Sequence, residues 1–314
     1  MNHIKYSIVA PAYNEEECIS EFYRRMKAVM ESTKESYEIV FINDGSRDGT
    51  LDKLLDIQKQ DKNVAVLDFS RNFGHQVAVS CGMEHARGDA VVLIDADLQD
   101  PPEVIPEMIA KWKEGYDVVY GKRSKRKGES AFKKLTAFGF YRVLDWLSGQ
   151  QIPKDTGDFR LIDRKVCDVM KRLHEHNRFL RGLVHWVGFK QTKVEYVRNE
   201  RFAGVSKYPL KKMMKLAGDG IVGFSAKPLK LALPLGVIVC FLAFLYLITI
   251  IILTCVLTPP PSPFHFVTSV LMGILGLVLC ALGIMGIYMG RIFDEVQNRP
   301  LYILRAKYGL DDKD

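Results

Sequence analysis

Asp95 and Asp97 are the residues of this sequence whose type and spacing most directly suggest chemistry. They follow the apolar, β-branched run Val91-Val92-Leu93-Ile94, with Ala96 between them, and Leu98-Gln99-Asp100-Pro101-Pro102 then stops any strand. Alternate side chains on an extended chain point the same way, so both carboxylates can reach one hard cation while Ala96 faces elsewhere. A cation bound there could hold a diphosphate. The competing reading is a strand followed by an Asp-rich turn, because Asp-x-Asp is a common spacing.

The elements that must deliver these acids alternate along the first 120 residues. Strand patterns cover 7–11, 38–44, 64–69, 90–95 and 117–120, and helix patterns cover 15–32, 50–60, 74–85 and 102–114. Near-continuous apolar strands joined by short helices predict a parallel sheet covered on both faces, with its ligand at the carboxyl ends of the strands. Four of those ends are polar: Pro11-Ala12-Tyr13-Asn14-Glu15, Asn43-Asp44-Gly45-Ser46, Ser70-Arg71-Asn72 and Asp95-Ala96-Asp97. Each alone is ordinary turn and cap chemistry. Together they predict a polar ligand site along one edge. No G-x-G-x-x-G follows the first strand and no G-x-x-x-x-G-K-[ST] occurs, so a glycine loop does not handle phosphate. A divalent metal on Asp95 and Asp97, with a basic partner such as Arg123, would do so.

Composition divides the chain. It has 314 residues and a formal charge of +7, yet stretches 231–257 and 264–289 contain no Asp, Glu, Lys or Arg. Each exceeds the roughly 20 residues that span a bilayer, which predicts two transmembrane helices. Lysines at 207, 211, 212, 215, 227 and 230 precede the first, and Arg291, Arg299, Arg305 and Lys307 follow the second, whereas the connector 258–263 has no basic residue. Both long ends are therefore expected in the cytoplasm. Residues 1–6 lack the regions of a signal peptide, in keeping with that placement. The six cysteines are scattered, without metal-ligand spacing, and suit a reducing compartment. The basic cluster of Lys122, Arg123, Lys125, Arg126, Lys127, Lys133 and Lys134, like the juxtamembrane lysines, fits anionic headgroups beside a membrane anchor better than nucleic acid. Residues 130–147 carry apolar side chains at helical spacing with basic ones between, suited equally to the membrane interface or to packing on the domain. Residues 153–160 read as a loop, a helix follows from Asp163, 192–197 as a strand, and 201–208 as a basic loop.

Six motifs in order now carry a resemblance: Pro11 to Glu15, Asn43 to Ser46, Ser70-Arg71-Asn72-Phe73-Gly74, Asp95 to Pro102, Gly157-Asp158-Phe159-Arg160, and Arg201-Phe202-Ala203-Gly204-Val205-Ser206-Lys207-Tyr208. The chain resembles the inverting glycosyltransferases of family 2, and among them the polyprenyl-phosphate glycosyltransferases. The resemblance implies a GT-A fold, α/β with a mainly parallel Rossmann-like sheet. It implies a catalytic domain over 1–205, a basic juxtamembrane helix over 206–228, a two-helix transmembrane hairpin over 229–290 and a cytoplasmic tail over 291–314. By that resemblance Pro11, Ala12, Tyr13, Asn14, Glu15, Asp44, Ser46, Arg71, Ala96, Gln99 and Arg123 bind the nucleotide sugar, and Asp95, Asp97 and Gln99 hold Mg²⁺ or Mn²⁺. Arg201, Ser206 and Lys207 bind acceptor phosphate, and Asp158 is the acid near the reacting centre, acting with Asp95 and Asp97 in catalysis. The implied activity is inverting hexose transfer from a nucleotide sugar, UDP-glucose first, to undecaprenyl phosphate at the cytoplasmic face of a bacterial plasma membrane. GDP-mannose or a UDP-N-acetylhexosamine are alternative donors, and a non-catalytic membrane accessory protein is the alternative class. The implied partners are the donor, the lipid acceptor, the membrane and further copies of the chain in a homo-oligomer, a tetramer being suggested; nucleic acid is not among them. Because a phosphate monoester with a second pKa of about 6 is already largely ionised at neutral pH, Asp158 is expected to orient the acceptor or sugar rather than serve mainly as a general base.

Overall fold

The computed structural model describes residues 3–124, 156–198 apart from 174 and 177, single helical positions between 229 and 252, and 263–310. In chain order the elements are β1 (Tyr6–Ala12), α1 (Ile19–Ser32), β2 (Tyr37–Asn43), α2 (Thr50–Gln60), β3 (Val64–Phe69), α3 (His75–His85), β4 (Ala90–Leu93), a 3₁₀ turn (Pro102–Val104), α4 (Ile105–Lys113), β5 (Val118–Arg123), β6 (Thr156–Asp163), α5 (Arg164–Lys171), α6 (Leu180–Trp186), β7 (Gln191–Tyr196), α7 (Pro263–Gln297) and β8 (Leu304–Tyr308). The eight strands form one sheet in the order β7-β5-β6-β4-β1-β2-β3-β8. Pairings β1–β2, β1–β4, β2–β3 and β5–β7 are parallel. Strand β6 runs antiparallel to β4 and β5, and β8 antiparallel to β3.

The central strands are Val- and Ile-rich and buried on both faces, as parallel strands under two helical layers must be. Helix α1 buries Ile19, Phe22, Met26, Val29 and Met30, a stripe at helical spacing that packs on the sheet. Tyr6, Phe22, Phe41 and Phe159 are among the largest fully buried side chains.

Four expectations are corrected in detail. The helix expected from Glu15 starts at Ile19, because the Glu15 amide donates to Thr50 Oγ1 (2.9 Å) and residues 15–18 form a turn. Strand β4 ends at Leu93, although the Ile94 amide still reaches the Val9 carbonyl (3.1 Å), so Asp95 stands just beyond the strand. The loop expected over 153–160 is largely strand β6. Its alternation is of ion-paired residues, Asp158 and Arg160, with buried apolar ones, Phe159 and Leu161, and the charges hid the strand pattern. Finally, the residues expected as a tail contain β8, which belongs to the same compact unit as the rest of the sheet.

A second compact unit contains α7, whose stretch Gly273–Gln297 is long and apolar enough to cross a membrane. Among the described residues it is the one helix that meets this measure. The expected helix over 231–257 falls mostly outside the described residues, as do the amphipathic stretch 130–147 and the juxtamembrane segment 206–228.

Candidate active site

The loops after β1, β2 and β3 are knitted together at the carboxyl edge of the sheet. Asn14, at φ +53°, donates its amide to Ser46 Oγ (3.0 Å) and accepts from the Arg47 amide (2.8 Å). Pro11 and Ala12 are buried, whereas Tyr13, Asn14, Glu15 and Ser46 are half-buried. The Asp44 carboxylate accepts from the amides of Phe73 (2.7 Å) and Gly74 (3.1 Å) and from Asn72 Nδ2 (2.9 Å). Burial pushes this carboxyl up against the pull of those donors. Gly45 is required here: its φ is +66°, and a Cβ would lie 2.5 Å from the Arg71 carbonyl carbon. Arg71 lies over the Phe73 ring, 4.0 Å from its centroid.

Beyond β4 the chain turns sharply. Leu98 adopts φ +59°, an unfavourable region for a branched residue, while the buried Asp97 accepts from the Gln99 amide (3.1 Å). His75, the first residue of α3, places Nε2 3.5 Å from Asp95 Oδ1 and 3.4 Å from Asp158 Oδ2. Burial pushes Asp95 up to about 6, with Asp158, Asp97 and Asp100 adding to the effect and His75 opposing it. Burial would lower His75, but Asp95 and Asp158 outweigh it and raise the imidazole to about 9.

Asp158, on β6, sits among cations. Arg181 donates Nε to Oδ1 (2.8 Å) and an Nη2 group to Oδ2 (3.2 Å), Gln76 Nε2 lies 3.4 Å from Oδ2, and Arg160 approaches Oδ1 to 3.9 Å. Burial alone would raise Asp158, yet Arg181 and His75 hold it well below the usual carboxylate range. Burial lowers the Arg160 guanidinium to about 10.

A second cluster lies around Asp100. Tyr196 donates its hydroxyl to Asp100, Arg123 stands 3.7 Å and Arg198 3.6 Å from its oxygens, and Arg198 donates to Gln99 Oε1 (2.7 Å). Gly157 lets Arg123 in, since a Cβ there would meet its Nη2 at 2.6 Å. Burial and the neighbouring Arg123 lower Arg198.

The expected residues thus fall into three groups: Pro11 to Glu15 with Asp44, Ser46 and Arg71 on one wall; Asp95 and Asp158 around His75; and Ala96, Asp97, Gln99 and Arg123 near Asp100. Arg201, Ser206 and Lys207 lie outside the described residues. An all-oxygen donor set from Asp95 and Asp97 suits Mg²⁺ or Mn²⁺, whereas the Gln99 oxygen is engaged by Arg198. Among the described residues no group of three or more His, Cys, Asp or Glu forms a ready-made metal centre, so a cation here would need oxygens from its ligand. His75, Gln76, Arg181, Tyr196 and Arg198 were not expected. His75 and Gln76 directly follow the Ser70 to Gly74 motif, and Arg181 lies in a stretch, 178–186, outside the six motifs.

The sequence model described as "Glycosyl transferase family 2" matches residues 7–170. The chain is 56% identical over 311 residues to the uncharacterized glycosyltransferase YkcC of Bacillus subtilis (strain 168), covering 99% of this chain and 96% of that protein. It is 42% identical over 305 residues to the SfII prophage-derived bactoprenol glucosyl transferase of Shigella flexneri, covering 97% and 99%. A solved structure of glucosyl-3-phosphoglycerate synthase from Mycobacterium tuberculosis, in complex with Mn²⁺, UDP and phosphoglyceric acid, superposes with a TM-score of 0.49 at 18% identity, covering 70% of this chain and 76% of that one.

Proposed function

The chain belongs to glycosyl transferase family 2, and from that premise we propose that it transfers glucose from UDP-glucose to undecaprenyl phosphate, with inversion, at the cytoplasmic face of a bacterial plasma membrane. The observation that carries this reading is the almost end-to-end match to a bactoprenol glucosyl transferase. The site's chemistry supports it. A sugar leaves a nucleoside diphosphate when the departing diphosphate is stabilised, and Asp95 and Asp97 would hold the Mg²⁺ or Mn²⁺ that neutralises it. Arg123 and Arg198, at the edge of the same site, add positive charge beside that position. The loops of Pro11 to Glu15, Asp44, Ser46 and Arg71 cradle the nucleoside. An oxygen of the lipid phosphate attacks the anomeric carbon as the bond from that carbon to the diphosphate breaks, giving polyprenyl-phosphate glucose and UDP. The nucleophile arrives ionised. Asp158, held far below the usual carboxylate range, is a poor proton acceptor and a good fixed anion. Arg201, Ser206 and Lys207 draw the lipid phosphate in, and α7 with the stretch 231–257 keeps the domain at the bilayer where that lipid resides.

The test is transfer of labelled sugar to undecaprenyl phosphate by the full chain in detergent, using UDP-glucose, UDP-N-acetylglucosamine and GDP-mannose in parallel. Label is expected in lipid from UDP-glucose, with a loss of about a hundredfold or more in Asp95→Ala. Transfer only from GDP-mannose would reassign the donor, and no lipid product from any donor would overturn the activity.

A further inference from the structure

Asp158 is reached from two helices that are far apart in sequence. Arg181 lies in the first turn of α6 and turns the Nε–Nη2 edge of its guanidinium to the carboxylate, one nitrogen to each oxygen. Gln76, in the first turn of α3, donates to Oδ2 while its own oxygen accepts the amide of Leu180 (3.0 Å), the residue before Arg181. His75 sets Nε2 between Asp158 Oδ2 and Asp95 Oδ1. The carboxylate is therefore clamped between α3 and α6, and the ring it seats stands within 3.5 Å of both acids.

We propose that Arg181 is a positioning residue for sugar transfer that acts through Asp158: its two-pronged grip fixes the carboxylate, and the fixed carboxylate seats the His75 ring against Asp95. This rests on the reading of Asp95 as an acid of the diphosphate site. A carboxylate offers about four lone-pair positions; here Arg181 reaches both oxygens, and Gln76 and His75 approach Oδ2 beside it. It is left as an orienting anion. Guanidinium is the group for this task, because its planar fork matches both oxygens at once, whereas an ammonium makes a single contact that can rotate. Without the fork, Asp158 loses its orientation, His75 loses one of its two acidic neighbours, and Asp95 loses the ring that faces it.

A purely structural ion pair between β6 and α6 would alter stability and leave turnover alone. A direct contact from Arg181 to the donor would raise the donor KM. The test compares Arg181→Ala, Arg181→Lys, Asp158→Asn and the double variant Arg181→Ala/Asp158→Asn in the full detergent-solubilised chain. Arg181→Ala is expected to lower kcat by about 10–100-fold with the donor KM changed less than about threefold. Arg181→Lys is expected to recover little of this loss. The double variant should be no slower than the slower single variant, because both changes break one unit. Millimolar guanidinium ion should restore turnover to Arg181→Ala and not to the double variant. Losses that multiply in the double variant, a raised donor KM at unchanged kcat, or full activity in Arg181→Lys would each overturn the proposal. If Arg181→Ala does not fold, the cycle of Arg181→Lys with Asp158→Asn makes the same comparison. A wild-type chain that makes no lipid-linked sugar would sink the proposed function instead, and the cycle read on slow hydrolysis of UDP-glucose would still separate coupled from independent action.

Discussion

Glu38 accepts hydrogen bonds from the Ser7 hydroxyl (2.5 Å), the Arg87 amide (2.7 Å) and the Nε and Nη2 of the Arg87 guanidinium (2.9 and 2.7 Å), while almost entirely buried. Like Asp158 it is an acid held by several donors at once. Its role is to tie β1, β2 and the turn before β4. Glu38→Ala would strand the Arg87 charge and is expected to destabilise the fold by about 3–5 kcal/mol, read from denaturant unfolding of the full chain. A loss below about 1 kcal/mol would show that the network relaxes freely. Asp61 offers a pH test. Burial would raise it, but hydrogen bonds from Lys27 (2.8 Å) and Tyr23 (2.6 Å) outweigh burial and lower it below its ordinary 3.8. A depressed folded pKa stabilises fully above the unfolded value and less as pH falls through the folded one. Asp61→Asn should therefore be less stable than wild type at neutral pH, and the gap should narrow as pH drops below about 4. A gap independent of pH would exclude this linkage. At this scale Asp95 and Asp97 were legible because an apolar strand ending in spaced acids is a local pattern. His75 and Arg181 were not, because they meet Asp158 across 83 and 23 residues respectively, and nothing in the local pattern of α3 or α6 marks that meeting.

Helix α3 joins the site to the edge of the sheet. Its first turn carries His75 and Gln76, and near its end Glu84 accepts from the Tyr302 hydroxyl (2.6 Å), whose ring stacks on Phe69 of β3 with centroids 5.2 Å apart. Close by, Ser70 donates to the Ile303 carbonyl (3.0 Å) and accepts from Arg305 (3.0 Å), one residue before Arg71. The approach to β8 thus braces the loop that holds Asp44. Tyr302→Ala should destabilise the fold by about 2 kcal/mol and weaken UDP binding, measured by unfolding and by calorimetric titration. Unchanged UDP affinity would show that the brace does not reach the loop. Strands β1 to β4 were legible from their apolar runs. Strand β8, Leu304-Arg305-Ala306-Lys307-Tyr308, is short, charged and on an edge, so its sequence read as a tail. Strand β6 was hidden for a related reason: the ion-paired Asp158 and Arg160 break its apolar pattern.

At the scale of the molecule, the first strands of an α/β sheet present their carboxyl ends to one polar edge, and that rule points to the edge where Asp44 and Asp95 of the candidate site lie. The acceptor residues proposed in 201–207 and the first expected apolar helix rest on the sequence. The described residues add α7, with Gly273–Gln297 long and apolar enough for a bilayer.

Strand β8 has one more consequence, a matter of parity. It pairs with β3, so residues 304–308 lie on the same side of any membrane as the sheet that begins at Tyr6. A chain that crosses a membrane through α7 must then make its other crossings an odd number, and the uncharged stretch 231–257 is the one we propose. In that topology the count of crossings is even because a strand of five residues closes the loop. With Ser262→Cys in the connector and Lys313→Cys beyond β8, an impermeant maleimide applied to intact cells should label the first and spare the second. Labelling at 313 would place the sheet on the outer side and overturn the cytoplasmic assignment.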